Sequence, residues 1–416
     1  MAQQSARKIA LTALSQWRGG RQFADAVLEQ LLANAPLSSP DRGFAIELFY
    51  GTLRNLMLLD FWLGRLRAGS LDPDTRELLR LGIYQLFFLE TAEHAAVYET
   101  VELAPIKARG LVNGVLRTAV RKRAELRKHA EAQPLEVRKS HPRFLIQRWS
   151  EKLGPHATSE LCDWNNRPAP LYARINRLKT SDEAFLRGHT RSDAIPDYPG
   201  FARMGALPRD ALLRGDCYMQ DPSTSMACGL LDPQPGERVL DACAAPGGKT
   251  ALLAEQMQNR GSIVACDRDA ARSEMLRANL ARLGVTMATI VCHDWTKGVI
   301  PLPEAGAAFD RILVDAPCSN TGVIRRRVDL RWRLKESDFL QMQHLQLTIT
   351  AAVVPLLKPG GAIVYSTCSL EPEENEQARD WICGHFPFLI LEAEKTLLPF
   401  RDQVDGAFAV RFRRQD

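Results

Sequence analysis

The chain has 416 residues, 45% hydrophobic and 25% charged, a balance that excludes intrinsic disorder and allows several packed domains. It holds no run of about 18 apolar residues, and its opening MAQQSARKIALTALSQW lacks the apolar core of a signal peptide, so no membrane span is expected and the cytoplasm is. Net charge is only +5, but residues 101–150 hold twelve Lys and Arg against four Asp and Glu, a stripe that predicts a polyanionic partner.

Residues 1–125 read as an all-α domain. Ile9, Ala10, Ala13, Leu14 and Trp17 recur at helical spacing, as do Phe23, Val27, Leu28, Leu31 and Leu32. Cap and proline signals near Ser39 and Pro40 open a further apolar-periodic stretch. LLRLGIYQLFFL, Leu78 to Leu89, is apolar nearly all round, as the central helix of a bundle is. In KARGLVNGVLRTAVRKR, Leu111, Val112, Val115 and Leu116 take one side and the cations the other. A basic helical connection is expected over 126–166. Then PLYARINRLKTSDEAFLRGH gives a strand from Leu171 to Asn176, a Thr-Ser-Asp helix start and a helix. Residues 167–220 are therefore expected to form a small α+β module.

From 221 to 416 strands alternate with helices. RVLD, GSIVACD, MATIVC, FDRILVD and GGAIVYST are short and rich in Val, Ile and Leu, which predicts a parallel sheet covered on both faces. Ligands of such sheets sit beyond the carboxyl ends of the strands. Asp241, Asp267, Asp294, Asp315 with Cys318, and Thr367 with Cys368 all fall at those ends. Nine dispersed cysteines, with no Cys-x-x-Cys and no histidine cluster, predict free thiols in a reducing compartment and no metal.

DACAAPGGKT is close to two phosphate loops and fits neither. Cys243 stands where a P-loop has its first glycine, and G-x-G-x-x-G is absent. A Gly-Gly turn opening a helix remains, with Asp267 twenty residues after Gly247, placed to bind ribose hydroxyls. The site thus expects a nucleoside without a polyphosphate, and S-adenosylmethionine is one, with a zwitterionic tail. Backbone amides from Ala245 to Gly248 are placed to hold its carboxylate. Asp294 either faces the adenine or is a plain turn cap.

DAPCSNTGVIRR and YSTCSLEPEENE each set a cysteine beyond a strand. A thiolate added to carbon 6 of cytosine makes carbon 5 nucleophilic, so that it takes a methyl group before the thiol is eliminated. One thiol suffices for attack and a second assists release; the residues alone leave the two equivalent. Asp315, protonated or hydrogen-bonded, suits the N3 edge of the base. The acids of PEENE, after Pro372, suit the first turn of a helix, so no catalytic role is assigned to Glu373 or Glu374.

Together these three motifs resemble the RNA cytosine-C5 methyltransferases of the NOL1/NOP2/Sun family. FADAVLEQLL, ELFYGTLRNLMLLDFWL, HAAVYETVELA and LVNGVLR resemble the helical NusB-type RNA-binding domain. The resemblance spans nearly the whole chain. It implies a NusB-like domain, an RRM-like element over 167–220, and a Rossmann-like methyltransferase domain over 221–416. It makes Cys368 the nucleophile, Cys318 the thiol that aids release, and Asp315 the contact at N3. It assigns S-adenosylmethionine to Cys243, Ala244, Ala245, Pro246, Gly247, Gly248, Lys249, Asp267, Asp294 and Asp315. Its implied substrate is a single-stranded or flipped-out cytosine of 16S rRNA, acted on by a monomer without metal or membrane. Asn320 departs from the family, which usually has Gly or Ala there. A tRNA substrate, or an RNA-binding antitermination-type factor with a vestigial catalytic half, are the alternatives; saturable S-adenosylmethionine binding argues against the second.

Overall fold

A computed structural model describes residues 5–20, 22–298 and 308–415. The outermost residues of the first and last expected domains, 1–4 and 416, and the stretch 299–307 lie outside the described residues. The chain divides into two compact units.

The first unit holds the residues up to Pro168 together with Ile324–Arg333. It is helical, and local chemistry sets where its helices begin. The Ser5 hydroxyl caps Ala6–Gly19; Ser38 caps Ser39–Arg54 and Asp72 caps Pro73–Phe88, both with proline in the first turn. Pro73–Phe88 is buried on nearly every side, as its composition predicts. Helices Arg123–Glu131, Arg143–Leu153 and Pro155–Asn166 belong to this same unit, so the expected connection is folded into it.

Residues 324–333, within the expected catalytic domain in sequence, pack in the helical unit. Asp329 is 3% exposed, and its carboxylate accepts from the Trp17 indole at 3.1 Å, the Ala24 amide at 3.0 Å and Arg333 at 2.9 Å. Arg331 is fully buried and donates to Ser140 O, Asn165 O and Asn166 Oδ1. The Trp332 indole donates to Leu53 O at 2.9 Å, and Val328 joins the helical core. Buried polar groups need such partners, and here the helices supply them.

The second unit holds Ala169–Val323 and the residues from Leu334. Its strands are β1 (Leu171–Ile175), β2 (Ser192–Ala194), β3 (Phe201–Met204), β4 (Cys217–Met219), β5 (Arg238–Asp241), β6 (Ser262–Asp267), β7 (Ala288–Cys292), β8 (Phe309–Asp315), β9 (Leu357–Thr367), β10 (Leu389–Leu397) and β11 (Ala407–Arg414). The first four form an antiparallel sheet in the order β2-β3-β1-β4. The other seven run β10-β11-β9-β8-β5-β6-β7. Strands β5 to β9 are parallel, but β11 pairs antiparallel with β9, and β10 with β11. The sheet is therefore mixed rather than wholly parallel.

Both faces are covered. Leu240, Ile312, Val314 and Ile363 pack into one apolar layer, while Val239, Ile263, Leu313 and Val364 pack into the other. Alternate side chains of one strand feed opposite layers, so the strands read as continuous apolar runs. The small sheet is fastened to this frame by Arg174 of β1, which is 2% exposed and pairs with Glu255 at 2.9 Å.

Among the described residues, no helix is long and apolar enough to cross a membrane. Nor do three or more His, Cys, Asp or Glu side chains among them cluster as metal ligands.

Candidate active site

The carboxyl ends of β5, β6 and β8 bring Asp241, Asp267 and Asp315 together, and the register β5–β6 and β5–β8 places them on one edge. Asp267 is 4% exposed. Its oxygens accept from the Ala245 amide at 3.3 Å and the Asp269 amide at 3.1 Å, and Arg272 lies 3.3 Å away. Asp294 follows β7 and caps a short turn, accepting from Thr296 N at 3.1 Å and Thr296 Oγ1 at 2.7 Å. Hydrogen bonding from Thr296 holds its carboxyl below the usual range. The turn-capping role that its sequence context allows is thus filled.

The loop Cys243–Gly247 leads from β5 into the helix Gly248–Gln256. Gly247 has φ +107°, a conformation that favours glycine. A Cβ on Gly248 would stand 2.9 Å from the Tyr218 ring, so that glycine is required by packing. Of the amides expected to meet a carboxylate, Ala245's is taken by Asp267 and Gly247's donates to Ala244 O at 2.8 Å. The Gly248 amide opens the helix, where backbone N–H groups have no intrahelical acceptor.

Asp241 is fully buried. Its Oδ2 accepts from Thr250 at 2.7 Å, while Oδ1 has no hydrogen-bond partner. Burial pushes its carboxyl up from 3.8 to about 7, the Thr250 hydroxyl opposing and Asp315 adding. An orphaned acceptor beside a helix N-terminus, with acids at the neighbouring strand ends, fits a nucleoside whose tail carries an ammonium and a carboxylate. Because the folded chain holds this proton more tightly than the unfolded chain, ionising Asp241 opposes folding. Stability is lost as pH rises from 3.8 to about 7 and then levels. Asp241→Asn should remove a cofactor-free loss on the order of 2 kcal/mol between about pH 5 and pH 7.5. Thermal midpoints of both proteins across that range check it.

Lys249 turns towards β8 and pairs with Asp315 at 2.7 Å. Burial pulls its ammonium down, but the ion pair with Asp315 outweighs this and the net direction is up. The other Asp315 oxygen accepts from Ser366 at 3.0 Å. Asp315 is thus hydrogen-bonded by two donors, and Lys249 reaches the β8 end.

Cys318 and Cys368 meet. Their sulfurs lie 3.2 Å apart, and both residues are partly exposed. Cys368 Sγ is also 3.2 Å from Asn320 Oδ1. Asn320 has φ +59°, and its amide donates to Cys318 O at 2.6 Å. The hydrogen bond to Cys368, followed by burial, pushes the Cys318 thiol well above its ordinary range.

One component was missed in the sequence. Helix Glu376–His385 begins on the last residue of PEENE, so Glu376 is its first-turn acid and Pro372 precedes it in a turn. Glu374 is instead fully buried against Ser319, Ser369 and Gln346.

In the helical unit the basic stripe is partly spent on local pairs: Arg109 with Glu102 at 3.1 Å and Arg123 with Glu93 at 3.0 Å. Lys107, Arg117 and Arg121 are exposed along one face of the helix Ile106–Arg121.

A family model described as "16S rRNA methyltransferase RsmB/F" matches residues 228–385, the NusB family matches 4–121, and an RsmF/B-like ferredoxin-like domain matches 141–190. The fold is thus NusB-like, ferredoxin-like and Rossmann-like methyltransferase in turn. The "Probable ribosomal RNA small subunit methyltransferase B" of Bacillus subtilis is 34% identical over 91% of this chain and 88% of its own. The "Ribosomal RNA small subunit methyltransferase B" of Yersinia pseudotuberculosis is 38% identical over 89% and 88%. A solved structure described as "Crystal Structure of PH0851" shares the fold with a TM-score of 0.79, 24% identity and 98% coverage of both chains. Identity at this level across nearly the full length of both relatives places the chain in the ribosomal RNA small subunit methyltransferase B family.

Proposed function

We infer that the chain methylates carbon 5 of a cytosine in 16S rRNA, in the cytoplasm, through a covalent adduct. The observation that carries this reading is the pair of sulfurs 3.2 Å apart, beyond neighbouring strands β8 and β9. The family relationship supplies the substrate class. Cys368 is the nucleophile: its sulfur adds to carbon 6 of the ring and makes carbon 5 an enamine carbon. S-adenosylmethionine, when bound, supplies the electrophilic methyl group that this carbon takes. Loss of the carbon 5 proton and elimination of the Cys368 sulfur restore the ring.

Addition at carbon 6 builds negative charge at N3. The Lys249–Asp315 pair is placed to hold a proton at that edge, with the ammonium as donor and the carboxylate as its anchor. Release is assigned to Cys318, whose sulfur lies against that of Cys368 and as a thiolate would take the carbon 5 proton. The bond to Cys368 that holds its proton is lost once the Cys368 sulfur is spent in the adduct. The tail of the cofactor is assigned to Asp241 and the Gly248 amide, and its ribose to Asp267. The neighbouring Cys243, Ala244, Ala245, Pro246 and Gly247 shape the wall, and Asp294 stands at the adenine end. Lys107, Arg117 and Arg121 are assigned to RNA phosphates.

The test is methyl transfer from labelled S-adenosylmethionine to 16S rRNA and, separately, to tRNA from cells lacking this gene. Label at carbon 5 of a single 16S cytosine is expected. Label on an exocyclic amine, a ribose or tRNA alone would overturn the reading.

A further inference from the structure

Both cysteines sit on loops, and loops do not hold two sulfurs 3.2 Å apart without support. Each is held through both of its chain neighbours. Before Cys318, the Pro317 carbonyl accepts from Gln346 Nε2 at 2.9 Å. After it, the Ser319 amide donates to Glu374 Oε2 at 2.8 Å and the Ser319 hydroxyl donates to Glu374 Oε1. Before Cys368, the Thr367 hydroxyl donates to Asn375 Oδ1 at 2.6 Å. After it, the Ser369 hydroxyl donates to Glu374 Oε1 at 2.6 Å, and Asn375 Nδ2 donates to Ser369 O at 2.8 Å. Gln346 Nε2 also reaches Glu374 Oε2 at 2.8 Å. One carboxylate therefore collects donors from both thiol loops and from the helix Glu336–Val353 behind them.

The geometry points to Glu374 as the positioning residue that sets the distance between the Cys318 and Cys368 sulfurs, a role that rests on the covalent reading above. Glu374 touches neither reacting atom, so it is not a catalytic residue. Its carboxylate is 0% exposed; burial raises its pKa while the Ser319 and Ser369 hydroxyls pull it down. A buried carboxylate is tolerated only with such a set of donors. Only an acceptor with two oxygens can serve all four donors at once. Glutamine offers a single carbonyl oxygen and turns an NH2 group towards part of the set.

Glu374→Gln keeps the size and removes that capacity. Phenylarsine oxide reads the sulfur spacing without any catalysis, since its arsenic forms two As–S bonds with a close thiol pair and releases water. The wild type should take up one equivalent, and Cys318→Ala should abolish this uptake. Glu374→Gln should weaken uptake ~10-fold or more and lower kcat ~10-fold or more, because small misplacements of reacting groups are costly. Its affinity for S-adenosylmethionine and its KM for RNA should stay within about twofold. Ser369→Ala, which removes one strut, should lower uptake and kcat together by a smaller factor. Uptake and kcat within about threefold of wild type in Glu374→Gln would overturn the proposal. So would a loss of cofactor binding in step with both, the mark of a merely structural role. If Glu374→Gln does not fold, unchanged uptake in Ser369→Ala and Ser319→Ala overturns it. A wild type that captures the arsenical but never methylates cytosine would sink the functional reading and leave the spacing role standing.

Discussion

Cys368→Ala abolishes methyl transfer, by ~10⁴-fold or more, the scale on which removal of a nucleophile acts. It leaves S-adenosylmethionine affinity within about twofold, because Asp241, Asp267 and the Gly248 turn are untouched. The side chain is partly exposed at the end of β9, and alanine there removes a sulfur without opening the core. Gly322 N still donates to the residue 368 carbonyl at 2.9 Å, so the loop keeps its backbone anchor. Equilibrium binding and single-turnover transfer, measured side by side, separate the two effects. Retained turnover would reverse the assignment of the thiols.

Cys318→Ala has the opposite signature. Attack proceeds, since the Cys368 sulfur is intact, but release stalls and a protein–RNA adduct accumulates as a band that survives denaturation. Steady-state turnover falls ~10²-fold or more, the usual weight of a positioned proton-transfer group. The double variant Cys318→Ala with Cys368→Ala forms no band. If Cys318→Ala turns over without accumulating adduct, Cys318 has no part in release.

What could be read beforehand followed local rules. The strands β5 to β9 announced themselves as Val- and Ile-rich runs between helices, and the rule that ligands sit at carboxyl ends gathered Asp241, Asp267, Asp315 and both cysteines. That Asp294 is a cap followed from the preference of aspartate for turns, and Thr296 supplies the partner. What could not be read depended on distant partners. Lys249 finds Asp315 sixty-six residues on, and nothing near the Gly-Gly turn signals it. An acid after proline looks the same whether it faces solvent in a first turn or is sealed against two serines, so Glu374 was indistinguishable from Glu376. RRRVDLRW is charged enough to pass for a solvated loop. Its aspartate, arginine and tryptophan are nevertheless buried or half-buried in the helical unit, because Trp17, Ala24, Leu53 and Asn166 offer matching donors and acceptors. The edge strand β10 escaped notice because LILEAEKTL is mostly exposed and lacks the apolar run of a central strand.

The covalent step itself is read most directly by mass spectrometry of the adduct that Cys318→Ala traps on 16S rRNA. After nuclease and protease digestion, a single cytidine-derived mass should sit on the peptide that contains Cys368. A nucleotide attached to any other residue, or no attached nucleotide while methyl groups still reach carbon 5, would contradict it.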